Sequence, residues 1–321
     1  AIITLLFIYS CATHKAQYGK NVSANETENA TDTIKIAHTF YLVGDAGNAN
    51  EDKAQQTLKL LENRLKKSDK NSTLLFLGDN IYPKGLPNTD HPEERILAET
   101  KLTNQLNLSK DFKGKTIFIP GNHDWYSGLN GLKEQQELVE KALGKNSFLP
   151  KNGCPIERVN INENISLIIV DTHWYVTNWN KHPKINEECD IKTRAKFLDE
   201  LESEIKKSQG KTTLIALHHP MFTNGPHGGY YDFKSHLQPF PFLGTVKNIL
   251  RKTTGISNAD QQNTKYNELR KRIITLAQEN EKVLFVSGHE HSLQYIVRDN
   301  VPQIVSGSGS KTSSVKHTNG S

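Results

Sequence analysis

The chain has 321 residues, 35% of them hydrophobic and 23% charged, with a net charge of +5. That length holds one large domain with a full core or two modest ones. Lys and Arg are spread through helical patterns rather than gathered in a stripe with interleaved aromatics, which argues against nucleic-acid binding; a mild positive balance favours anionic substrates.

Taken from the N-terminus, Ala1 to Tyr9 is an apolar run too short to span a bilayer. It reads as the hydrophobic region of a signal peptide whose charged beginning is missing. Phe7-Ile8-Tyr9-Ser10-Cys11 resembles a bacterial lipobox, with Cys11 as the acylated residue. Residues 1–11 are therefore expected to be a partial signal peptide. Residues 12–33, rich in Asn, Thr, Glu and Lys, are expected to be a flexible tether. The expected destination is export, as an outer-membrane lipoprotein or a periplasmic or cell-surface protein touching a membrane only through an anchor on Cys11. Residues 34–310 are expected to form the folded domain, and 311–321 a polar tail from which a longer chain could continue.

Within 34–310, strands and helices alternate. Strands are expected at Phe40–Val43, Leu74–Leu77, Thr116–Ile119, Ile165–Val170, Thr212–Leu217, Val283–Val286, Gln294–Val297 and Gln303–Val305. Helices are expected over Glu51–Lys67, Glu93–Leu108, Leu132–Leu143, Thr193–Lys207 and Thr264–Gln278. This is the pattern of a layered α/β domain whose last strands are partly antiparallel. Gly225–Phe242 reads as a long functional loop lying over the active site. Cys154 and Cys189 are equally compatible with a disulfide and with two free thiols.

Five of the apolar runs end in metal-binding side chains: Gly44-Asp45-Ala46-Gly47, Gly78-Asp79-Asn80-Ile81-Tyr82, Gly121-Asn122-His123-Asp124, Leu217-His218-His219-Pro220 and Gly288-His289-Glu290-His291. In layered α/β folds ligands bind beyond the carboxyl ends of the strands, so these segments would converge on one rim. The donors are oxygen and imidazole nitrogen, without cysteine, which suits a catalytic two-metal centre better than a structural zinc site. Asp79, in the second motif, has the two acceptor oxygens that a bridging ligand needs. His38 reads as structural, and His173 and Trp174, beyond another strand end, as packing.

This set resembles the calcineurin-like metallophosphoesterases, and within them the purple and tartrate-resistant acid phosphatases. Where most of the superfamily has a His two residues after the first Asp, this chain has Gly47; in exchange Tyr82 follows Asp79 by three residues, as in the purple enzymes. Gly288 to Tyr295 and Val305 to Gly309 extend the likeness, which covers about Thr39 to Ser310. It implies an α/β/β/α sandwich and a site with Fe(III) held by Asp45, Tyr82 and His291. Fe(II), Zn or Mn would be held by Asn122, His218 and His289, with Asp79 shared. It implies hydrolysis of a small phosphomonoester by a metal-bound hydroxide at acidic pH. His123 would contact substrate, and His227, nine residues after His218, would protonate the leaving group. His219 is left without a role. The alternatives are a Mn or Zn phosphodiesterase or nucleotidase of the same superfamily, and a non-catalytic lipoprotein binding module.

Overall fold

The computed structural model describes residues 12–19 and 35–317; Cys11 and most of the expected tether lie outside them. In chain order the elements are β1 (Ala12–Thr13), β2 (Thr39–Val43), α1 (Asp52–Leu65), β3 (Ser72–Phe76), α2 (Pro92–Leu106), β4 (Lys115–Phe118), α3 (Gly128–Leu143), β5 (Ile156–Asn160), β6 (Ile165–Val170), α4 (Thr172–Val176), α5 (Arg194–Lys207), β7 (Thr212–Leu217), α6 (Phe233–Leu237), α7 (Leu243–Thr254), α8 (Thr264–Gln278), β8 (Val283–Ser287), β9 (Leu293–Arg298), β10 (Val301–Ser306) and β11 (Val315–Lys316).

The main strands form two sheets, a parallel one in the order β2-β3-β4 and a mixed one in the order β5-β6-β7-β8-β10-β9. The mixed sheet is parallel across β6-β7-β8-β10 and antiparallel at both edges, where β5 meets β6 and β9 meets β10. The two-residue period of the strands divides the core in two. Leu75 and Leu77, Ile117 and Ile119, Leu167 and Ile169, Leu214 and Ala216, and Val286 pack together in the layer shared by the sheets. The alternate residues Leu74, Phe76, Phe118, Ile168, Val170, Ile215, Leu217 and Phe285 join the helices' buried faces, among them Leu58, Leu102, Val139, Phe197, Leu269 and Ile273. Strands buried on both faces read as continuous apolar runs for this reason, and the result is the expected α/β/β/α sandwich.

Register places the motifs. Val43 pairs with Phe76 and Phe76 with Phe118, so Asp45, Asp79 and Asn122 follow strand ends at one level. Leu217 pairs with Ser287, and Ser287 with Val305, which levels His218 with the turn carrying His289 and His291. The sheets are stitched together at this end: Gly44 N donates to Ser306 O at 2.7 Å, and His218 Nδ1 lies 2.8 Å from Leu77 O.

Several expectations change in detail. Helix α3 begins at Gly128, four residues before the first periodic Leu, because Gly-Leu-Asn-Gly hides its first turn. Edge strand β5 is half-buried and alternates with charged residues, which concealed it. Gly225–Phe242 is not one loop: a single helical turn over Pro226–Gly228 is followed by α6, and α7 packs on α6. Only its first residues reach the rim. The start of the segment read as a tether pairs with the segment read as a tail, Ala12 with Lys316 and Thr13 with Val315. Cys154 and Cys189 form a disulfide with Cα atoms 5.4 Å apart. Among the described residues no helix is long and apolar enough to cross a membrane.

Candidate metal centre

The rim is built from backbone that ordinary residues avoid. Asp45, Asp79 and His289 adopt positive φ of 60°, 54° and 67°, a region costly for side chains with a Cβ and concentrated at functional sites. Each is held there by a hydrogen bond. Asp45 N donates to Gly78 O at 2.9 Å, and His289 N donates to Asp45 Oδ2 at 2.7 Å. Asp79 Oδ1 accepts from His123 N at 2.9 Å.

All seven expected ligands come together, and all but His291 are almost fully buried. Ligand atoms of Asp45, Asp79 and His218 lie within 4.8 Å of one another. On one side Tyr82 OH donates to Asp45 Oδ1 at 2.8 Å and lies 3.2 Å from His291 Nε2, which is 3.4 Å from the same carboxylate oxygen. On the other side His218 Nε2 lies 3.3 Å from Asp79 Oδ1, 3.1 Å from Asn122 Oδ1 and 3.2 Å from His289 Nδ1. The carboxylates of Asp79 and Asp45 connect the halves, the latter by accepting from His289 N through Oδ2.

Outer groups aim these ligands. His218 Nδ1 faces Leu77 O, and His289 Nε2 faces Ala259 O at 2.8 Å. A ring nitrogen that donates to a carbonyl leaves the opposite nitrogen with its lone pair. Asn122 Nδ2 donates to Tyr126 OH at 2.7 Å, which turns Oδ1 inward. Carboxylate oxygens, an amide oxygen and imidazole nitrogens therefore converge in one buried space. That donor set fits cations.

Gly47 explains the exchange seen in the sequence. A Cβ there would lie 2.7 Å from Tyr82 N and 2.8 Å from Tyr82 Cδ2. Asp79 O, also 2.7 Å away, and the Tyr82 backbone and ring together occupy the space a side chain at 47 would need.

The charges follow from burial and proximity. Burial alone would push Asp79 up, but His218 beside it holds its carboxyl well below the usual range. Burial would pull His218 down, yet Asp79 and Asp45 raise it to about 9. His289 is pushed well below its ordinary value by burial and by His227, His219 and His218, so it is a neutral imidazole, the form a ligand requires. Burial, then Asp45 and Asp79, push the Tyr82 phenol well above its ordinary value. A proton on His218 and the Tyr82 hydroxyl hydrogen occupy the negative field that a cation would take over.

The two histidines expected to meet substrate lie at opposite sides of the rim. His123 Nε2 is 3.9 Å from Asp79 Oδ2, and its ring packs edge-on against Tyr82 with centroids 4.6 Å apart. The His227 ring lies 4.0 Å from that of His289, and its Nδ1 is 3.0 Å from Asp260 Oδ1. Arg251 of α7 clamps Asp260 through both oxygens, with Nε at 2.8 Å.

Other residues of the site were not legible in the sequence. Asp124 is fully buried and accepts from Gly121 N at 2.8 Å and Asn80 N at 3.1 Å, locking two motif loops together; burial, then Asp79, raises it to about 7. Glu290, between the two ligand histidines, accepts from Thr223 Oγ1 at 2.9 Å, His227 N at 3.1 Å and Ser313 Oγ at 3.1 Å. Lys311 Nζ rests 3.4 Å from the centre of the Tyr82 ring. His219, given no role above, lies beneath His289 with centroids 4.3 Å apart and bonds Thr172 Oγ1 at 2.7 Å. His173 and Trp174 are buried, and Trp174 stacks on Phe197. His38 bonds Thr73 Oγ1 at 2.9 Å, away from the rim. Asp260 and Lys311 lie in segments without a recognisable motif, and only the fold brings them in.

The calcineurin-like phosphoesterase family profile matches residues 38–293. Purple acid phosphatase 3 of Arabidopsis thaliana is 23% identical over 320 residues, spanning 97% of this chain and 71% of that protein. Among solved structures, GAP50, described as the anchor in the inner membrane complex of Plasmodium, matches with a TM-score of 0.51 at 16% identity, covering 87% of this chain and 75% of that one. That likeness is one of fold.

Proposed function

Because the chain belongs to the calcineurin-like phosphoesterase family, we propose that it hydrolyses small phosphomonoesters as an acid phosphatase of the purple type. Asp45, Tyr82 and His291 would hold Fe(III); Asn122, His218 and His289 would hold Fe(II), Zn or Mn; Asp79 would serve both. Bound there, the metals would lower the pKa of a coordinated water and neutralise charge on the phosphoryl group.

The observation that carries the ferric reading is Tyr82. Its hydroxyl lies 2.8 Å from Asp45 Oδ1 and 3.2 Å from His291 Nε2, over a glycine that makes room for its ring. A phenol buried among carboxylates holds its proton tightly. It becomes a phenolate ligand only beside a strong Lewis acid, which favours a trivalent ion at that position.

The chain's own groups handle the leaving alcohol. His227 and His123 flank the ligand cluster with their side chains partly open to solvent. Asp260, fixed by Arg251, holds His227 Nδ1 and so presents Nε2 as the proton donor to the departing oxygen.

The test is a visible absorption spectrum with metal analysis on the same sample. A broad purple or pink band that vanishes in Tyr82→Phe, with iron as one of about two metals, supports the reading. A colourless protein holding Mn or Zn and preferring diesters or nucleotides overturns it in favour of a phosphodiesterase or nucleotidase.

We also place the protein outside the cytoplasm, acylated on Cys11. The lipobox-like sequence supports this, and the Cys154–Cys189 disulfide agrees with an oxidising compartment. Labelled palmitate should enter the wild type and not Cys11→Ala; absence of label from both would sink the anchor.

A further inference from the structure

Helix α7 is built inside out. Its buried residues are Gly244 and Asn248, packed on α6. Asn248 Nδ2 donates to Ser235 Oγ at 3.1 Å, and a Cβ on Gly244 would lie 2.5 Å from His236 O. The apolar stripe Leu243, Val246, Ile249 and Leu250 faces outward, each residue about half exposed, and Phe240 and Phe242 project beside it at 66% and 80% exposure. Soluble helices bury such a stripe, and contiguous exposed apolar surface of this kind marks an interaction site.

The charge around the stripe identifies what it meets. From Phe233 to Ser257 there is no Asp or Glu, while Lys234, Lys247, Arg251 and Lys252 are all present. At 100° per residue Lys247 borders the stripe on one side, and Lys252 lies beyond its other edge; both are exposed, as is Lys234. An amphipathic helix with aromatic and aliphatic side chains on one face, flanked by lysines and free of acids, is the composition that lies in a membrane interface and favours anionic headgroups.

We infer that α7, with the Phe240–Phe242 tip before it, docks on an anionic lipid surface. Leu243, Val246 and Leu250 enter the acyl boundary together with the two phenylalanines, and the lysines lie at headgroup level. The inward side of the same helix carries Arg251, whose guanidinium reaches Asp260 and through it His227, so the docked helix is tied to the metal centre from its opposite face.

The experiment uses the full chain carrying Cys11→Ser, so that no acyl group contributes. It is sedimented with vesicles of phosphatidylcholine alone and of phosphatidylcholine mixed with phosphatidylglycerol. Binding is expected to the mixed vesicles, weaker in high salt. It should fall at least about tenfold in the double variant Phe240→Ser, Phe242→Ser, and again in Lys247→Glu. Turnover of a soluble phosphomonoester should be unchanged in these variants, which also shows that they are folded. Protein that stays in the supernatant with both vesicles overturns the inference. So does binding that the variants leave intact. Light scattering that shows a dimer dispersed by the same variants, without vesicle binding, assigns the stripe to a second copy instead.

Discussion

Asp79 is the residue on which both halves of the site depend. Its carboxylate contacts His218 at 3.3 Å and receives His123 N at 2.9 Å. Outer partners of metal ligands already cost roughly 10–100-fold in affinity or activity when changed. Asp79→Asn is therefore expected to lower bound metal and turnover by more than about a hundredfold while the fold persists, as metal analysis and circular dichroism would show. Gly47→Ala tests the exchange between glycine and tyrosine. The added methyl meets the Tyr82 backbone and ring within 3 Å, so a loss on the order of 1–3 kcal/mol is expected; the proposed ferric site further predicts a visible band weakened as Tyr82 shifts. His227→Ala should cost roughly 10²–10⁴-fold on alkyl phosphates, whose leaving alkoxides need a proton. It should cost much less on p-nitrophenyl phosphate, whose leaving group does not. Equal losses on both substrates would remove the proton-donor role. These residues were legible because metal ligation tolerates few side chains. Glu290 and Asp124 stand within the same motifs but act on backbone and neighbouring loops, a task that leaves no distinctive spacing.

The central strands and long helices were legible as elements because burial on both faces makes strands uniformly apolar and helices periodic. Edge strand β5, the glycine-opened start of α3 and the inverted helix α7 were missed for one shared reason: their patterns are set by what packs outside the local segment. Helix α5 shows the ordinary case. Phe197 is fully buried and stacks on Trp174 with centroids 5.7 Å apart. Phe197→Ala should destabilise the protein by about 3–5 kcal/mol, read as a lower midpoint in urea. Trp174 belongs to α4, directly after Asp171 at the end of β6, so loss of this contact also loosens the wall behind His219.

At the scale of the whole molecule the metal centre is a concentrated charge whose protons report on stability. In chelated protein His218 is raised from 6.5 to about 9. A group raised on folding stabilises fully below its unfolded value and loses that contribution as pH rises through the folded one. His291 is raised too: burial lowers it, but its bond to Asp45 outweighs this. Chelated protein should therefore lose stability between pH 7 and pH 9, at about 1.4 kcal/mol per unit for each proton released. Metal-loaded protein should show a flatter profile, because cations replace those protons. The urea midpoint at both pH values, with and without metal, checks this; a flat profile in chelated protein would contradict it.

The sequence alone determined which side chains stand as candidate metal ligands and their order along the chain. Five apolar runs ending in Asp, Asn and His can be read without neighbours, because burial fixes the runs and donor type fixes the ends. It also carried the resemblance to the calcineurin-like phosphoesterases, which the family match bears out. Only the tertiary structure decided what surrounds those ligands. Asp260 reaches His227 from 33 positions away, and Ser313 reaches Glu290 from 23. Lys311 meets Tyr82 from a segment that reads as a tail. It also turned α7 apolar side outward. Such pairings come from strand register and helix docking, whose energies are spread over many side chains and leave no local mark on any one of them.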